Sequence, residues 1–269
     1  MGAPSPSKIT NRLVRWRLLR SPPHDGPDNM ALDEALMDRA RRTGETVLRT
    51  YTWSTPTLSL GRNQRARGLY DLVALHEAGI VAIRRPTGGR ALLHHHEITY
   101  SVTAPIQADE SGARVYAQIN ILLVNALAVL GVPVQVAVGS QPAARPTTRP
   151  CFAEPARGEL VHEGRKLVAS AQWRDDGALL QHGSILADDD QQLMAAFFTG
   201  PTDPVPAPAT LRGILGRIPS AADVHAALVV ALTAATGAVP DDLDDDPSLV
   251  DAARGLALRY RDAAWTWRR

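Results

Sequence analysis

The chain has 269 residues, of which 45% are hydrophobic, and its 29 Lys and Arg residues nearly balance 28 Asp and Glu residues. This balance argues against a dedicated nucleic-acid-binding protein, which normally carries a large basic excess. The chain has one cysteine, no apolar signal segment and no run of eighteen uninterrupted apolar residues. We therefore expect a cytoplasmic protein with no membrane-spanning segment.

Strands and helices are predicted along most of the chain. Residues 1–10 are polar and contain proline, so we expect a flexible N-terminus before a single domain at 11–269. Alternating or apolar runs predict strands at 13–19, 46–53, 57–60, 80–84, 90–94, 98–103, 160–161, 166–173 and 178–186. Helical periodicity predicts helices at 28–42, 70–78, 113–130 and 221–236. The pattern indicates the α+β class, with proline-rich loops at 139–150 and 199–209 and a mainly helical part at about 210–269.

The single cysteine, Cys151, is either a small buried hydrophobic residue or a nucleophile, and a lone cysteine is more often inert. Pro150 and Pro155 flank it and predict an extended or turn conformation at an exposed position. A free thiol with a pKa of about 8.5 is mostly protonated at neutral pH, so a nucleophile needs an activating cation or base. Lys166, which begins an apolar strand after Gly164, is the leading candidate, although an ordinary surface lysine is the simpler interpretation.

Several histidines are candidate polar groups of a site. In a strand, His94 and His96 would face one side and His95 the other, and no further Cys/His pattern supplies ligands, so we predict no metal site. We expect His94 to form hydrogen bonds in or near a pocket and the other two to face solvent. His182 is a second candidate for a pocket, with a hydrogen-bonded core histidine as the alternative.

The adjacent Gly88 and Gly89 allow a turn whose backbone can approach a ligand closely. A glycine pair is a weak signal, because most such pairs are simple hairpin turns. The spacing fits neither a phosphate-binding P-loop nor a dinucleotide-binding fingerprint. The polar residues of the first predicted helix, including Asp33, could also face a pocket.

Taken together, these segments resemble the lipoate-protein ligase and octanoyltransferase superfamily, whose catalytic domain is similar to that of biotin protein ligases. The resemblance covers almost the whole chain in the expected order. It is carried by Asn29-Met-Ala-Leu-Asp-Glu-Ala35, Leu58-Ser-Leu-Gly-Arg-Asn-Gln64, Arg84-Arg-Pro-Thr-Gly-Gly-Arg-Ala91 with His94, Glu97-Ile-Thr-Tyr-Ser-Val102, Cys151-Phe, Gly164-Arg-Lys-Leu-Val-Ala-Ser-Ala-Gln172, Gln181-His-Gly-Ser-Ile-Leu186 and Arg259-Tyr to Trp265.

Within the superfamily the chain is most similar to LipM-type octanoyltransferases. Its turn reads Gly-Gly-Arg where ligases usually carry a third glycine, and a cysteine precedes the lysine motif. One departure is Ala169-Ser170-Ala171, where the family usually has Gly-Ser-Ala, and we expect the added methyl group to narrow the pocket or to shift the backbone. The absence of a Gly-Arg-Gly-Arg-type loop disfavours a biotin ligase.

The resemblance implies a mixed β-sheet core flanked by helices, with an apolar tunnel for an acyl chain. It implies transfer of octanoyl from octanoyl-acyl carrier protein, through a thioester on Cys151, to a lysine of a lipoyl domain or of the glycine cleavage H protein. Cys151 and Lys166 are the expected catalytic residues. Expected substrate-binding residues are Arg85, Thr87, Gly88, Gly89, Arg90, His94, Ser170, Ala171, His182 and Gly183.

Alternative functions use the same pocket. An ATP-dependent lipoate ligase would use Lys166, require ATP and Mg²⁺, and tolerate loss of Cys151. An amidotransferase would also use the cysteine but would move octanoyl between proteins. A non-catalytic acyl-binding or carrier-binding module would bury Cys151 and turn Lys166 away from the pocket. The octanoyltransferase hypothesis requires no cofactor and no nucleic-acid or membrane partner.

Overall fold

The computed structural model describes residues 15–138, 150–200, 205–243 and 245–269. The strands are β1 (Trp16–Arg20), β2 (Thr46–Tyr51), β3 (Thr57–Leu60), β4 (Val81–Arg84), β5 (Leu92–His94), β6 (Glu97–Pro105), β7 (Gln135–Val136), β8 (Leu160–His162), β9 (Arg165–Asp175), β10 (Ala178–Leu186) and β11 (Asp241–Asp242). The α-helices are α1 (Gly26–Thr43), α2 (Leu72–Glu77), α3 (Gly112–Val129), α4 (Leu211–Leu215), α5 (Ala221–Thr236), α6 (Pro247–Arg261) and α7 (Ala263–Thr266). Two 3-10 helices span Cys151–Ala153 and Gln191–Phe197.

The strands form two sheets. The larger has eight strands in the order β11-β1-β2-β6-β10-β9-β8-β7, and the smaller has three in the order β4-β3-β5. In the larger sheet β1 runs parallel to β2 and β11, whereas the other pairings are antiparallel. The predicted mixed sheet with flanking helices is confirmed.

Helices cover both faces of the larger sheet, as strand β2 illustrates. All six of its residues are buried. Val47 packs with Leu36 of α1 and Leu249 of α6, whereas the next residue, Leu48, belongs to the core cluster that includes α3 and α5. Because successive side chains of a strand point to opposite faces, this division places α1 and α6 on one side and α3 and α5 on the other.

Among the described residues, α3 is the one helix that is long and apolar enough to cross a membrane. Its residues Ile119, Leu122, Leu123 and Leu127 are buried in the main hydrophobic core with residues of α5.

Helix boundaries differ from the prediction where capping residues lie further upstream or downstream. Helix α1 begins at Gly26 rather than at residue 28, because the Asp25 carboxylate accepts the N–H of Asp28 and Pro27 occupies the first turn. Helix α2 begins two residues later than predicted, since Asp71 caps it.

Strand boundaries also differ in places. The strand predicted at 90–94 is confined to Leu92–His94, and β9 extends to Asp175. The two-residue strands β7 and β11 were not predicted, because so short a run has no measurable alternation. Some predicted segments lie wholly or partly outside the described residues. These are the N-terminus at 1–10, the first residues of the strand at 13–19, most of the loop at 139–150, and residues 201–204 of the loop at 199–209.

Candidate active site

A cavity of about 990 Å³ is lined by residues of both sheets, of α3 and of the segment around Cys151. This volume is at the upper end of the roughly 300–1,000 Å³ of pockets that enclose small ligands. Apolar wall residues include Met30, Leu92, Ala117, Ile121 and Val136. Every expected catalytic or substrate-binding residue except Thr87 lies on the wall: Arg85, Gly88, Gly89, Arg90, His94, Cys151, Lys166, Ser170, Ala171, His182 and Gly183.

Arg85 organises the Gly88-Gly89 turn. Its Nε and Nη2 donate to the carbonyl of Gly88 at 3.1 and 2.8 Å, and Nη2 also donates to the carbonyl of Arg90 at 2.7 Å. Its Nη1 donates to the carbonyl and hydroxyl oxygens of Ser59 at 2.9 and 3.1 Å. Burial lowers the pKa of Arg85, and a nearby Cys151 thiolate opposes that shift. The guanidinium is thus fully engaged by the protein and shapes the turn from behind.

Glycine is required at two positions around this turn. Gly89 has a φ of +98°, and a Cβ there would lie 2.6 Å from Nη2 of Arg85. A Cβ on Gly61, at the end of β3, would lie 2.0 Å from the carbonyl oxygen of Gly89. The absence of a side chain at Gly61 therefore makes room for the turn.

Thr87 lies behind the cavity wall and hydrogen-bonds to His182. The Thr87 hydroxyl is 2.7 Å from Nε2 of His182, and Nδ1 of His182 is 3.2 Å from Oδ2 of Asp33. Burial lowers the pKa of His182, although Asp33 opposes the shift. The neutral tautomer that fits these contacts donates from Nδ1 to Asp33 and accepts the Thr87 hydroxyl at Nε2.

Asp33 is a buried anchor rather than a group of the cavity wall. It accepts hydrogen bonds from Nη1 of Arg49 at 2.7 Å, from Ser101 at 2.8 Å and from Tyr51 at 2.9 Å. Burial alone would raise the pKa of Asp33, but Arg49 and His182 lower it, so the carboxylate is ionised. This anchored carboxylate fixes the ring of His182 and, through it, Thr87.

Cys151 begins the 3-10 helix that crosses the cavity wall. Its N–H donates to the carbonyl of Ala91 at 2.8 Å, and the residue packs half-buried against Leu92, Phe152 and Ala169. Cys151 is therefore less exposed than predicted, because this apolar cluster covers part of the residue. Burial raises the pKa of the Cys151 thiol, and the nearby Lys166 cation opposes the shift without overcoming it.

Lys166 is 3% exposed, so the interpretation as a surface lysine is wrong. Its Nζ donates to the carbonyl oxygen of Cys151 at 2.5 Å and forms an ion pair with Oε2 of Glu159 at 2.6 Å. A buried ammonium requires such a partner, because desolvation of an unpaired charge is costly. The lysine thereby connects strand β9 to the cysteine segment.

Glu159 is the residue of this site that sequence analysis missed. Besides pairing with Lys166, its carboxylate accepts the N–H of Ala156 at 2.6 Å. Burial raises the pKa of Glu159, while Lys166 lowers it. The only signal available was indirect: a catalytic lysine placed in a buried strand needs an acidic partner.

His94 hydrogen-bonds at the cavity wall, as predicted. Its Nδ1 is 2.7 Å from Oε1 of Glu97, and its ring stacks on Trp53 with centroids 3.9 Å apart. The prediction that His95 and His96 face opposite sides is wrong, because β5 ends at His94 and both residues lie in the following turn. Their rings stack on each other with centroids 3.9 Å apart, and both are exposed, as expected.

The remaining candidates lie on β9, on β10 and at the end of the glycine turn. Ser170 hydrogen-bonds to the Tyr100 hydroxyl at 2.7 Å, and a Cβ on Gly183 would lie 2.6 Å from the Ala169 carbonyl oxygen. The methyl group of Ala169 lines the cavity and is 4% exposed. Nη1 of Arg90 lies 3.9 Å from a carboxylate oxygen of Glu154.

Comparison with known proteins places the chain in a family. The model of the lipoyl protein ligase A/B catalytic domain matches residues 25–233. The octanoyltransferase LipM of Kyrpidia tusciae is 38% identical over 94% of this chain and 99% of its own length. The octanoyltransferase LipM of Moorella thermoacetica is 37% identical over 94% and 98%, respectively.

Solved structures share the fold. A bi-partite lipoate protein ligase from Thermoplasma acidophilum has a TM-score of 0.75 at 21% identity and covers 94% of this chain and 96% of its own. A lipoate-protein ligase A bound with ATP has a TM-score of 0.75 at 22% identity, covering 94% and 98%. The sequence matches carry the assignment beyond the fold: this chain belongs to the lipoyl protein ligase A/B catalytic-domain family, and it is an acyltransferase.

Proposed function

We propose that the enzyme transfers an octanoyl group from octanoyl-acyl carrier protein to a lysine of a lipoyl domain or of the glycine cleavage H protein, with Cys151 as the intermediate acyl carrier. Similarity to several octanoyltransferases at 36–40% identity supports the octanoyl group. The observation that carries the cysteine route is that Cys151 and Lys166 lie on the wall of the same cavity.

The first step forms a thioester on Cys151. The sulfur attacks the donor thioester, a new carbon–sulfur bond forms, and the carrier leaves as a thiol that takes the proton lost by Cys151. Because burial raises the pKa of Cys151, its resting form at neutral pH is the thiol. The attack therefore depends on cations that favour the thiolate, of which Lys166 has the largest effect.

Lys166 is the proposed oxyanion donor. Its ammonium has three N–H groups. One donates to the Cys151 carbonyl and one faces Glu159, so in the described part of the chain a third remains for a substrate oxygen. The two existing contacts fix the direction of the third N–H group of Lys166. A donor fixed in this way before the reaction stabilises the charge that develops on a carbonyl oxygen.

The second step releases the product. The neutral amine of the acceptor lysine attacks the octanoyl-Cys151 carbonyl, the carbon–sulfur bond breaks, and Cys151 recovers a proton as the amide forms. Exchange between thioesters is nearly isoenergetic and conversion to an amide is downhill, so we propose that neither ATP nor another cofactor takes part.

The cavity supplies the affinity for the acyl chain. Burial of methylene groups contributes about 0.8 kcal/mol for each CH₂, so an eight-carbon chain gains several kcal/mol without a polar contact. Ala169 lies on the wall and packs with Leu92 and Phe152, and we propose that its methyl group influences the accepted chain length. We expect the reaction to take place in the cytoplasm, with no nucleic-acid or membrane partner.

A lipoate ligase is the second candidate, favoured by the shared fold with a lipoate-protein ligase A bound with ATP. The test supplies octanoyl-acyl carrier protein and a lipoyl domain with no nucleotide and follows the acceptor mass over time. We expect octanoylation by the native enzyme and none by Cys151→Ser. Equal activity of Cys151→Ser, or a strict requirement for ATP and free acid, would establish the ligase instead. Transfer only from an already octanoylated protein would establish an amidotransferase. No transfer from any donor would establish a non-catalytic binding module.

A further inference from the structure

The turn between β5 and β6 brings three metal-ligating side chains together outside the cavity. Nδ1 of His95 lies 3.2 Å, and Nδ1 of His96 lies 3.7 Å, from Oδ2 of Asp190. One ligand atom from each residue lies within 4.8 Å of the others. None of the three residues lines the acyl cavity.

These separations suit a transition-metal ion. Zinc binds imidazole nitrogen and carboxylate oxygen at about 2.0–2.2 Å, which places neighbouring tetrahedral ligands roughly 3.3–3.6 Å apart. The side chains of His95 and His96 are 40% and 50% exposed, so an ion from solvent can reach both rings. Two imidazoles and one carboxylate leave further coordination positions for water.

Asp190 is held in position by the protein. The residue is 5% exposed, its Oδ2 accepts the N–H of His96 at 3.2 Å, and its Oδ1 accepts Nε2 of Gln191 at 3.0 Å. Gln191 is anchored in turn to the carbonyl oxygen of Leu93 at 2.7 Å. Such outer hydrogen bonds orient the ligands of metal sites. In the described ranges the nitrogens that form close pairs with this nearly buried carboxylate belong to His95 and His96, and no Lys or Arg nitrogen pairs with it.

We propose that His95, His96 and Asp190 bind a divalent transition-metal ion, with zinc as the representative. The ion would bind both imidazoles in the neutral form beside the carboxylate. The ion would join the β5–β6 turn to the segment after β10, 94 residues away in sequence. The sequence pattern was searched only for Cys and His as further ligands. The carboxylate of Asp190, which is the third proposed ligand, was therefore not considered.

The test is a zinc titration of tag-free, chelator-treated protein by calorimetry. Cys151→Ala is used as the background in every sample, because it removes the only thiol that competes for zinc. We expect one equivalent of zinc to bind, and the affinity to fall at least 10-fold in His96→Asn and in Asp190→Asn. His76→Asn, which changes an exposed histidine on α2, is the matched control and should bind as the background does.

Thermal unfolding provides a second readout on the same proteins. Zinc should raise the melting temperature of the background and of His76→Asn, and should leave that of Asp190→Asn unchanged, because an ion that binds only the folded state stabilises it. Absence of stoichiometric binding would overturn the proposal. Equal affinity in the background and in Asp190→Asn would also overturn it, since an exposed histidine pair alone would then account for the binding.

Discussion

Two sides of the cavity differ in how their polar groups are satisfied. On the glycine-turn side, Arg85 donates only to neutral oxygens of the turn and of Ser59, and His182 is fixed between Thr87 and Asp33. On the cysteine side, a half-buried thiol with a raised pKa lies beside the buried ion pair of Lys166 and Glu159. The first side fixes backbone positions, whereas the second holds ionisable groups whose charge can respond to a substrate. On this difference we propose that the cysteine side performs the chemistry and that the turn side shapes the space for it.

The largest expected effect is that of Cys151→Ala on transfer. Removal of a nucleophile lowers kcat by at least about 10³-fold, because the proposed acyl carrier is lost. The rate of octanoylation of a lipoyl domain measures it, and an unchanged melting temperature shows that the fold is intact. A fall in kcat of less than tenfold would mean that the reaction does not proceed through an acyl group on Cys151.

The ion pair on the cysteine side should couple activity and stability. Lys166→Ala should lower kcat by about 10²–10³-fold, the effect of losing an oxyanion donor. Glu159→Gln should destabilise the protein by roughly 3–5 kcal/mol, because it leaves a buried ammonium without its partner. Denaturant unfolding and steady-state rates measure the two effects.

The double variant Lys166→Met with Glu159→Gln separates these roles. Removal of both charges should restore much of the stability lost in Glu159→Gln, since no unpaired charge stays buried. It should not restore activity. Recovery of near-native transfer in the double variant would show that Lys166 acts only in the structure.

The turn side should respond to backbone geometry rather than to charge. Gly89→Ala should destabilise the protein by about 1–3 kcal/mol, because its φ is +98° and the new Cβ would meet Arg85. Gly88→Ala is the matched control, since a Cβ there has no neighbour within 4 Å, and its melting temperature should stay near that of the native protein. Equal destabilisation by both changes would contradict the proposed role of Arg85 in the turn.

The smallest expected effect is on the pH dependence of thiol reactivity. Because the pKa of Cys151 is raised, its alkylation by iodoacetamide should increase with pH beyond the range in which an ordinary cysteine has reached its plateau. Glu159→Gln removes a negative charge that raises this pKa, so the profile should move to lower pH. Lys166→Ala removes the opposing cation and should move it to higher pH. A profile that is the same in all three proteins would contradict the electrostatic coupling.

Much of the fold was predictable, because long elements carry a clear period. The strands around Thr99 and Leu180 and the helix around Leu123 appear where alternation or helical spacing placed them. Boundaries depended on individual caps, and α1 begins at Gly26 because Asp25 caps it. The strand period was extended too far at His95 and His96, since a three-residue strand gives no sign of where its turn begins.

The candidate site was predictable from motifs in part. Nearly all the proposed residues line one cavity, but their local roles depend on how the strands pair. The ion pair of Glu159 with Lys166 forms where β8 pairs with β9. The approach of Gly61 to the turn arises where β3 pairs with β4. The burial that raises the pKa of Cys151 is likewise a property of packing and leaves no local pattern in the chain.

The most direct test of the cysteine route is intact-protein mass spectrometry after mixing the enzyme with octanoyl-acyl carrier protein and no nucleotide. We expect one octanoyl adduct on the native enzyme, removed by hydroxylamine, and none on Cys151→Ala. An adduct of equal yield on Cys151→Ala, or no adduct on a native enzyme that still modifies its acceptor, would contradict it.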